Sequence, residues 1–229
     1  MKFPKAEGIR KILVIAPHAD DEVIGCGGII ARAAKNGSQV KLVVMATGGI
    51  KHHHLEEIAS TDDRLAEMKS AAQTLGIRAT QVLFPGRDMR LEELPMLELV
   101  TALDGVIRAD DFDECYIPEP SHNRDHQLTN EAAIAALRPS GRRPMNLVAA
   151  YEGTSYDFRT ATTPAGTLYV DIAATLDSKI EALHHYTSQA RTYPHPMSEE
   201  AIRRLAAMRG MECGVDYAER FRVLRMVHT

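Results

Sequence analysis

The sequence predicts a three-layer α/β sandwich around a mostly parallel sheet. Three observations carry that expectation. Short apolar runs of five to eight residues recur along the first two thirds of the chain. Helical patterns separate them. Histidines, acids and arginines follow the runs at their carboxyl ends. Short apolar strands alternating with helices bury both faces of a sheet, so the strands are expected to run parallel through right-handed crossovers.

The elements follow in order. "KILVIA" (11–16) reads as a fully buried strand, and 22–37 as a helix stopped by Gly37. "QVKLVVMA" (39–46) is a second strand. The pattern over 60–77 is a helix, with Ser60 or Thr61 as its cap, acids in its first turn and Gly76 at its end. "TQVLF" (80–84) is a third strand, 94–110 a helix, and "DECYIPE" (113–119) a fourth strand. A helix from about 125 to 137 and a fifth strand, "NLVAAYE" (146–152), come next. The later part adds a strand and helix in "TLYVDIAATLDSKIEALHHYTSQA", a helix near 198–210, and a mixed segment, "YAERFRVLRMV".

The 229 residues suffice for one large core. No repeat, low-complexity run or long linker divides them, so residues 1–229 are read as a single domain. Net charge is −4, with 27 basic and 31 acidic residues interspersed. No basic stripe is present, so nucleic acid is not an expected partner. No apolar run approaches about 18 residues, so membrane insertion is not expected either. The first apolar run, Ile12 to Ala16, is shorter than the ~7–15 residues of a signal peptide core, which points to a cytoplasmic protein. Cys26, Cys115 and Cys213 form no CxxC pair. Cys115 falls in an apolar strand pattern and Cys26 in a helix, and both read as small buried hydrophobes.

The chemistry gathers after the strands. "PHADDE" follows the first, "TGGIKHHH" the second, "PGRDMR" the third, "PSHNRDH" the fourth and "EGTSY" the fifth. In an open parallel sheet these loops share one rim, where ligands bind. Packed alone, the carboxylates of Asp20, Asp21 and Glu22 would repel one another, so a positive partner is expected beside them. A capped helix start favours one or two acids through the helix dipole. It does not explain His18, or the separate histidine loop at the same rim. On a strand-to-helix turn, His18 and Asp21 can address one ion while Asp20 points past it. Catalytic zinc takes three protein ligands from His, Asp and Glu and keeps a position open. The third ligand must come from another loop, where His122 and His126 are both available.

"PHADDE" before a glycine-rich helix start, joined to a distant "DH" at a later strand end, resembles the LmbE/PIG-L family of zinc-dependent N-deacetylases. "RLAE" (64–67) before "LGI" is similar to that family's R-x-x-E helix. The segments 170–189 and 209–221 resemble the later parts of its bacterial members, including bacillithiol-type deacetylases. The resemblance covers much of the chain. It implies a Rossmann-like, LmbE-like sandwich and hydrolytic removal of an N-acetyl group from an N-acetylglucosamine-type amino-sugar conjugate. It assigns His18, Asp21 and His126 to zinc, Asp20 as general base, and Arg64 as a substrate contact. His122 is then a second catalytic histidine, donating a proton or steadying the oxyanion. The family commonly spaces its two histidines three apart, whereas His122 and His126 are four apart. Two nitrogens and one oxygen also suit Fe2+, Co2+ or Ni2+. A homo-oligomer is a further implication.

Asp125 either orients a histidine from behind or caps the helix that follows it. Arg64 has a plainer alternative, an exposed ion pair with Glu67 one helical turn on. His52, His53 and His54 read as a loop over the rim rather than a second metal site. His184 and His185 read as surface or packing residues. Gly25, Gly27 and Gly28 do not make a dinucleotide cradle, because acids occupy the place of the pyrophosphate; close helix packing explains them. Two other functions compete: a carbohydrate-binding or regulatory protein of the same fold, and a hydrolase of a different N-acyl group. A retained base at Asp20 argues against the first.

Overall fold

The computed structural model describes residues 9–49, 59–139, 141, 143–154 and 166–227. Strand β1 (Lys11–Ala16) shows how the layers arise. Ile12 and Val14 face one core, while Leu13 and Ile15 face the other, and all four are buried. A strand with both faces buried needs a helical layer on each side.

Six more strands complete the sheet: β2 (Gln39–Thr47), β3 (Ala79–Pro85), β4 (Glu114–Pro118), β5 (Leu147–Tyr151), β6 (Thr167–Asp171) and β7 (Ala218–Met226). Their order is β3-β2-β1-β4-β5-β7-β6. The first five in that order are parallel, with Leu13 opposite Lys41 on one side and Cys115 on the other. β7 runs antiparallel to both β5 and β6. Helices α1 (Asp21–Lys35), α2 (Thr61–Leu75) and α5 (Leu176–His184) cover one face. Helices α3 (Met96–Arg108) and α4 (Arg124–Ala136) cover the other. Helix α6 (Glu199–Cys213) packs outside α1 and α5 through Ile202 and Ala206.

The segment 217–227 departs from the mixed reading. It holds a nine-residue strand inserted between β5 and β6. Arg220, Arg222 and Arg225 interrupt its apolar pattern. The fold accommodates them by pairing Arg220 with Glu152 at 2.9 Å, Arg222 with Glu119 at 3.7 Å, and Arg225 with the Leu137 carbonyl at 3.0 Å.

Local signals set the helix ends. Ser60 and Asp63 form a reciprocal capping box at α2, and Gly76 closes that helix at φ 74°. The glycines of α1 serve packing. A Cβ on Gly25 would lie 2.1 Å from the Tyr151 ring, and one on Gly28 would lie 2.5 Å from Ile172. Tyr151 cannot easily yield, because its hydroxyl donates to the Ile15 carbonyl at 2.9 Å. Gly25→Ala should therefore destabilise the protein by ~1–3 kcal/mol or more, overpacking outweighing the ~1 kcal/mol of helix propensity gained. A chemical-denaturation midpoint checks this; an unchanged or higher midpoint would show that the ring moves freely.

Cys26 and Cys115 are buried in the two cores, and all three cysteines are free. Among the described residues no helix is long and apolar enough to cross a membrane.

Candidate active site

The strand order reverses between β1 and β4. The chain leaves β1 toward β2 and leaves β4 toward β5, so the loops after these two adjacent strands diverge and open a crevice. A cavity of about 370 Å³ lies there, lined by His18, Asp20, Asp21, Arg64, His122 and His126 among others. These residues lie up to 108 positions apart in sequence, between His18 and His126. The topology brings them together.

His18, Asp21 and His126 each offer a ligand atom within 4.8 Å of the other two. Asp21 is the hub. Its Oδ2 accepts from the backbone amide of His18 at 3.1 Å and lies 3.2 Å from His126 Nε2 and 3.5 Å from His18 Nδ1. The other nitrogen of His18, Nε2, lies 3.0 Å from Asp125 Oδ2 and 3.6 Å from Asp88 Oδ1. Burial alone would pull the His18 imidazole down. The Asp125 and Asp21 carboxylates outweigh it and hold the group well above the usual histidine range. Burial pushes Asp21 up, but His126 and then His18 outweigh it and leave the carboxyl well below the ordinary range. The cluster therefore favours positive charge between its donors. Two imidazole nitrogens and a carboxylate oxygen suit a divalent transition metal with an open position. A carboxylate behind His18 is the usual partner for a ligating imidazole, since it fixes the tautomer and ring orientation.

Asp125 is held from its other oxygen, which accepts the Leu91 amide at 3.1 Å. The cap of α4 is Asn123, whose side chain accepts from the Asp125 amide at 2.9 Å. Of the two alternatives for Asp125, the geometry is that of a partner to His18.

Asp20 sits at φ 125°, ψ −30°, just before α1. A side chain there costs of order 1–3 kcal/mol and persists only when the surroundings over-determine it. Its carbonyl starts the helix, accepting from Val23 and Ile24 at 3.0 Å. Its carboxylate makes no cap. An aspartate in the usual extended N-cap conformation turns its carboxylate back onto the helix amides. The unusual backbone frees this one to face the cavity. Burial, and next Asp21, push the Asp20 carboxyl well up, against the pull of Arg64.

Arg64 is 2% exposed, so the exposed-pair alternative does not describe it. Its Nη2 donates to the Ala19 carbonyl and lies 3.7 Å from Asp20 Oδ2. Its Nη1 reaches Glu67 at 3.4 Å and Ser188 at 3.3 Å.

Residues 13–137, more than half of the chain, match the sequence model of the PIG-L family, described as GlcNAc-PI de-N-acetylase. The chain belongs to the PIG-L family. A curated relative is the diacetylchitobiose deacetylase of Thermococcus kodakarensis, 28% identical over 230 residues that span 93% of this chain and 83% of the relative. The solved structure of N,N'-diacetylchitobiose deacetylase from Pyrococcus horikoshii, complexed with its inhibitor MPG, is 28% identical. It aligns over 94% of this chain and 84% of its own, with a TM-score of 0.73. GalB, the 4-carboxy-2-hydroxymuconate hydratase of Pseudomonas putida KT2440, has a TM-score of 0.75 over 96% of this chain and 98% of its own, at 21% identity. That last likeness is one of fold.

The PIG-L stretch contains His18, Asp20, Asp21, Arg64, His122, Asp125 and His126. His122 is exposed and lines the same cavity as the donor cluster, despite the four-residue spacing. Asp88 was not singled out from the sequence. It lines the cavity from the loop after β3, and burial raises its carboxyl against the pull of His18 and Arg64. Its position in "PGRDMR", at the shared rim, is the signal that was available. Further lining comes from beyond the PIG-L stretch, including Gln189, Arg191, His195 and Met197, between α5 and α6. His184 lies 2.9 Å from Glu199, and His185 lies 2.8 Å from Thr74, both away from the cavity. His52, His53 and His54 lie outside the described residues.

Proposed function

We propose that this single-domain chain is a metal-dependent amidohydrolase that removes the N-acetyl group from an N-acetylglucosamine-type amino-sugar conjugate. The observation that carries the reading is Asp20. A carboxylate held in a costly backbone conformation faces a cavity beside a two-histidine, one-aspartate donor set. A binding module has no use for that strain.

His18, Asp21 and His126 would hold the cation, with Asp125 orienting His18. Zinc is the metal we favour on donor chemistry, ahead of Fe2+, Co2+ or Ni2+. Such a cation supplies Lewis acidity toward water and toward the amide carbonyl. Asp20 takes the proton of the attacking water and can return it to the leaving nitrogen, which departs as an amine rather than an amide anion. His122 stands at the cavity to donate a proton or to steady the oxygen of the tetrahedral state. Asp88 and Arg64 offer an acceptor and a donor for the hydroxyls of a sugar. We place the reaction in the cytoplasm. Homo-oligomeric assembly belongs to the same proposal.

The test is a panel of N-acetylated amino-sugar conjugates and longer N-acyl analogues, assayed for free amine and carboxylate with and without chelator. Chelator-sensitive release of acetate from the N-acetyl members is expected. No release from any member by metal-loaded protein overturns the reading. Preference for a longer acyl group would redirect it to another N-acyl hydrolase. His122→Ala should lower kcat about 10²-fold, the scale of one proton donor or oxyanion contact, with metal content unchanged. Wild-type turnover in that variant would remove His122 from the chemistry.

A further inference from the structure

We infer that Glu22 and Tyr186, together with Arg64, clamp the peptide unit between Ala19 and Asp20, and that Glu22 and Tyr186 are positioning residues for Asp20. The inference rests on the reading of Asp20 as the base.

Both polar ends of that peptide unit are held. Arg64 Nη2 donates to the Ala19 carbonyl. The Asp20 amide donates to Glu22 Oε2 at 3.0 Å. The remaining oxygen of Glu22 accepts the Tyr186 hydroxyl at 2.5 Å. The Tyr186 ring in turn lies under the Arg64 guanidinium, 5.6 Å from its centroid. The contacts close a ring of side chains around the peptide plane that leads into Asp20. They come from three elements: α1 supplies Glu22, α2 supplies Arg64, and Tyr186 lies just past the end of α5.

The plainer account of Glu22 is an acid in the first turn of a helix, favoured by the dipole. Such an acid normally stays in water. Glu22 is 0% exposed, and both of its oxygens are spent on the ring. Tyr186 is 1% exposed. Neither residue lines the cavity. Glu22 reaches the reaction through the direction in which Asp20 points, and Tyr186 through that and through the Arg64 guanidinium it packs under. A residue at φ 125° has no local preference to hold it there, so the clamp supplies the over-determination that the conformation requires.

The test uses the metal-loaded 229-residue chain on the fastest substrate of the panel above. Tyr186→Phe removes one hydroxyl and keeps the ring. We expect kcat to fall about tenfold or more with KM within about twofold, because misplacing a catalytic group by a fraction of an ångström weakens the reacting state and not substrate binding. Metal content should be unchanged. Glu22→Gln should restore most of the loss seen in Glu22→Ala, since the amide oxygen still accepts from Asp20 and its nitrogen can donate to Tyr186. In an Asp20→Asn background, Tyr186→Phe should have no further effect on kcat, because the two act as a unit. If Asp20→Asn is nearly dead but Tyr186→Phe turns over as wild type, the clamp is wrong and the base reading stands. If Asp20→Asn turns over normally, the base reading itself has failed. Where Glu22→Ala does not fold, the Tyr186→Phe and Asp20→Asn cycle decides alone; additive losses there would overturn the proposal.

Discussion

Asp20→Asn should lower kcat by about 10² to 10⁴-fold, the usual worth of a positioned general base, with folding and metal content unchanged. Asparagine is the right probe for two reasons. It tolerates positive φ better than most residues, so the backbone at φ 125° is disturbed least. It is also nearly isosteric with aspartate, but its amide cannot take a proton from water. The native carboxyl is raised by burial and by Asp21. A raised carboxyl is a stronger base once ionised, which is what proton removal from water demands. Arg64, 3.7 Å away, keeps the ionised form accessible. The check is kcat, KM and metal content measured on one preparation. A variant within about threefold of wild-type kcat would exclude Asp20 from proton transfer.

His126→Ala should weaken divalent-cation binding by more than about 100-fold, the upper end of what loss of a mere outer partner costs. The variant removes one of three donors and leaves Asp21 without its 3.2 Å partner. His126 is also the foremost influence holding the Asp21 carboxyl down against burial. Turnover should disappear at low metal and return in part when metal is added in excess. Titration with a competing chelator measures the affinity directly. Unchanged metal content would mean that the third donor lies elsewhere, with His122 the first place to look.

The parts of the site that were legible in the sequence share a cause. "PHADDE" and "SHNRDH" each follow an apolar run, and a parallel sheet sends such loops to one rim. Asp88 was harder to see because a lone acid among two arginines in a loop looks like surface charge. Its meaning comes from a 3.6 Å approach to His18 that no local pattern encodes. Arg64 read equally well as an exposed ion pair, since its i,i+3 spacing to Glu67 is the same in either case. Only the packing of α2 against the turn after β1 buries it against Ala19 and Asp20. The role of Glu22 depends on Tyr186, 164 residues on, whose hydroxyl meets its carboxylate only in the folded chain.

The strand at 218–226 makes the same point about the fold. Its arginines break the alternation that marks a half-buried strand, so the local signal is weak. Glu152, Glu119 and the Leu137 carbonyl, from three distant places, satisfy those arginines and let the segment pair between β5 and β6.

By itself the sequence determined the alternation of strands and helices, the rim on which polar residues collect, and the donor types offered there. Those follow from periodicity and short-range chemistry, which act between neighbours along the chain. Tertiary structure alone decided which distant residues meet, which carboxylate points into the cavity, and which is spent holding a backbone. Those outcomes depend on how helices from different crossovers pack over one end of the sheet, and packing is a property of the whole fold.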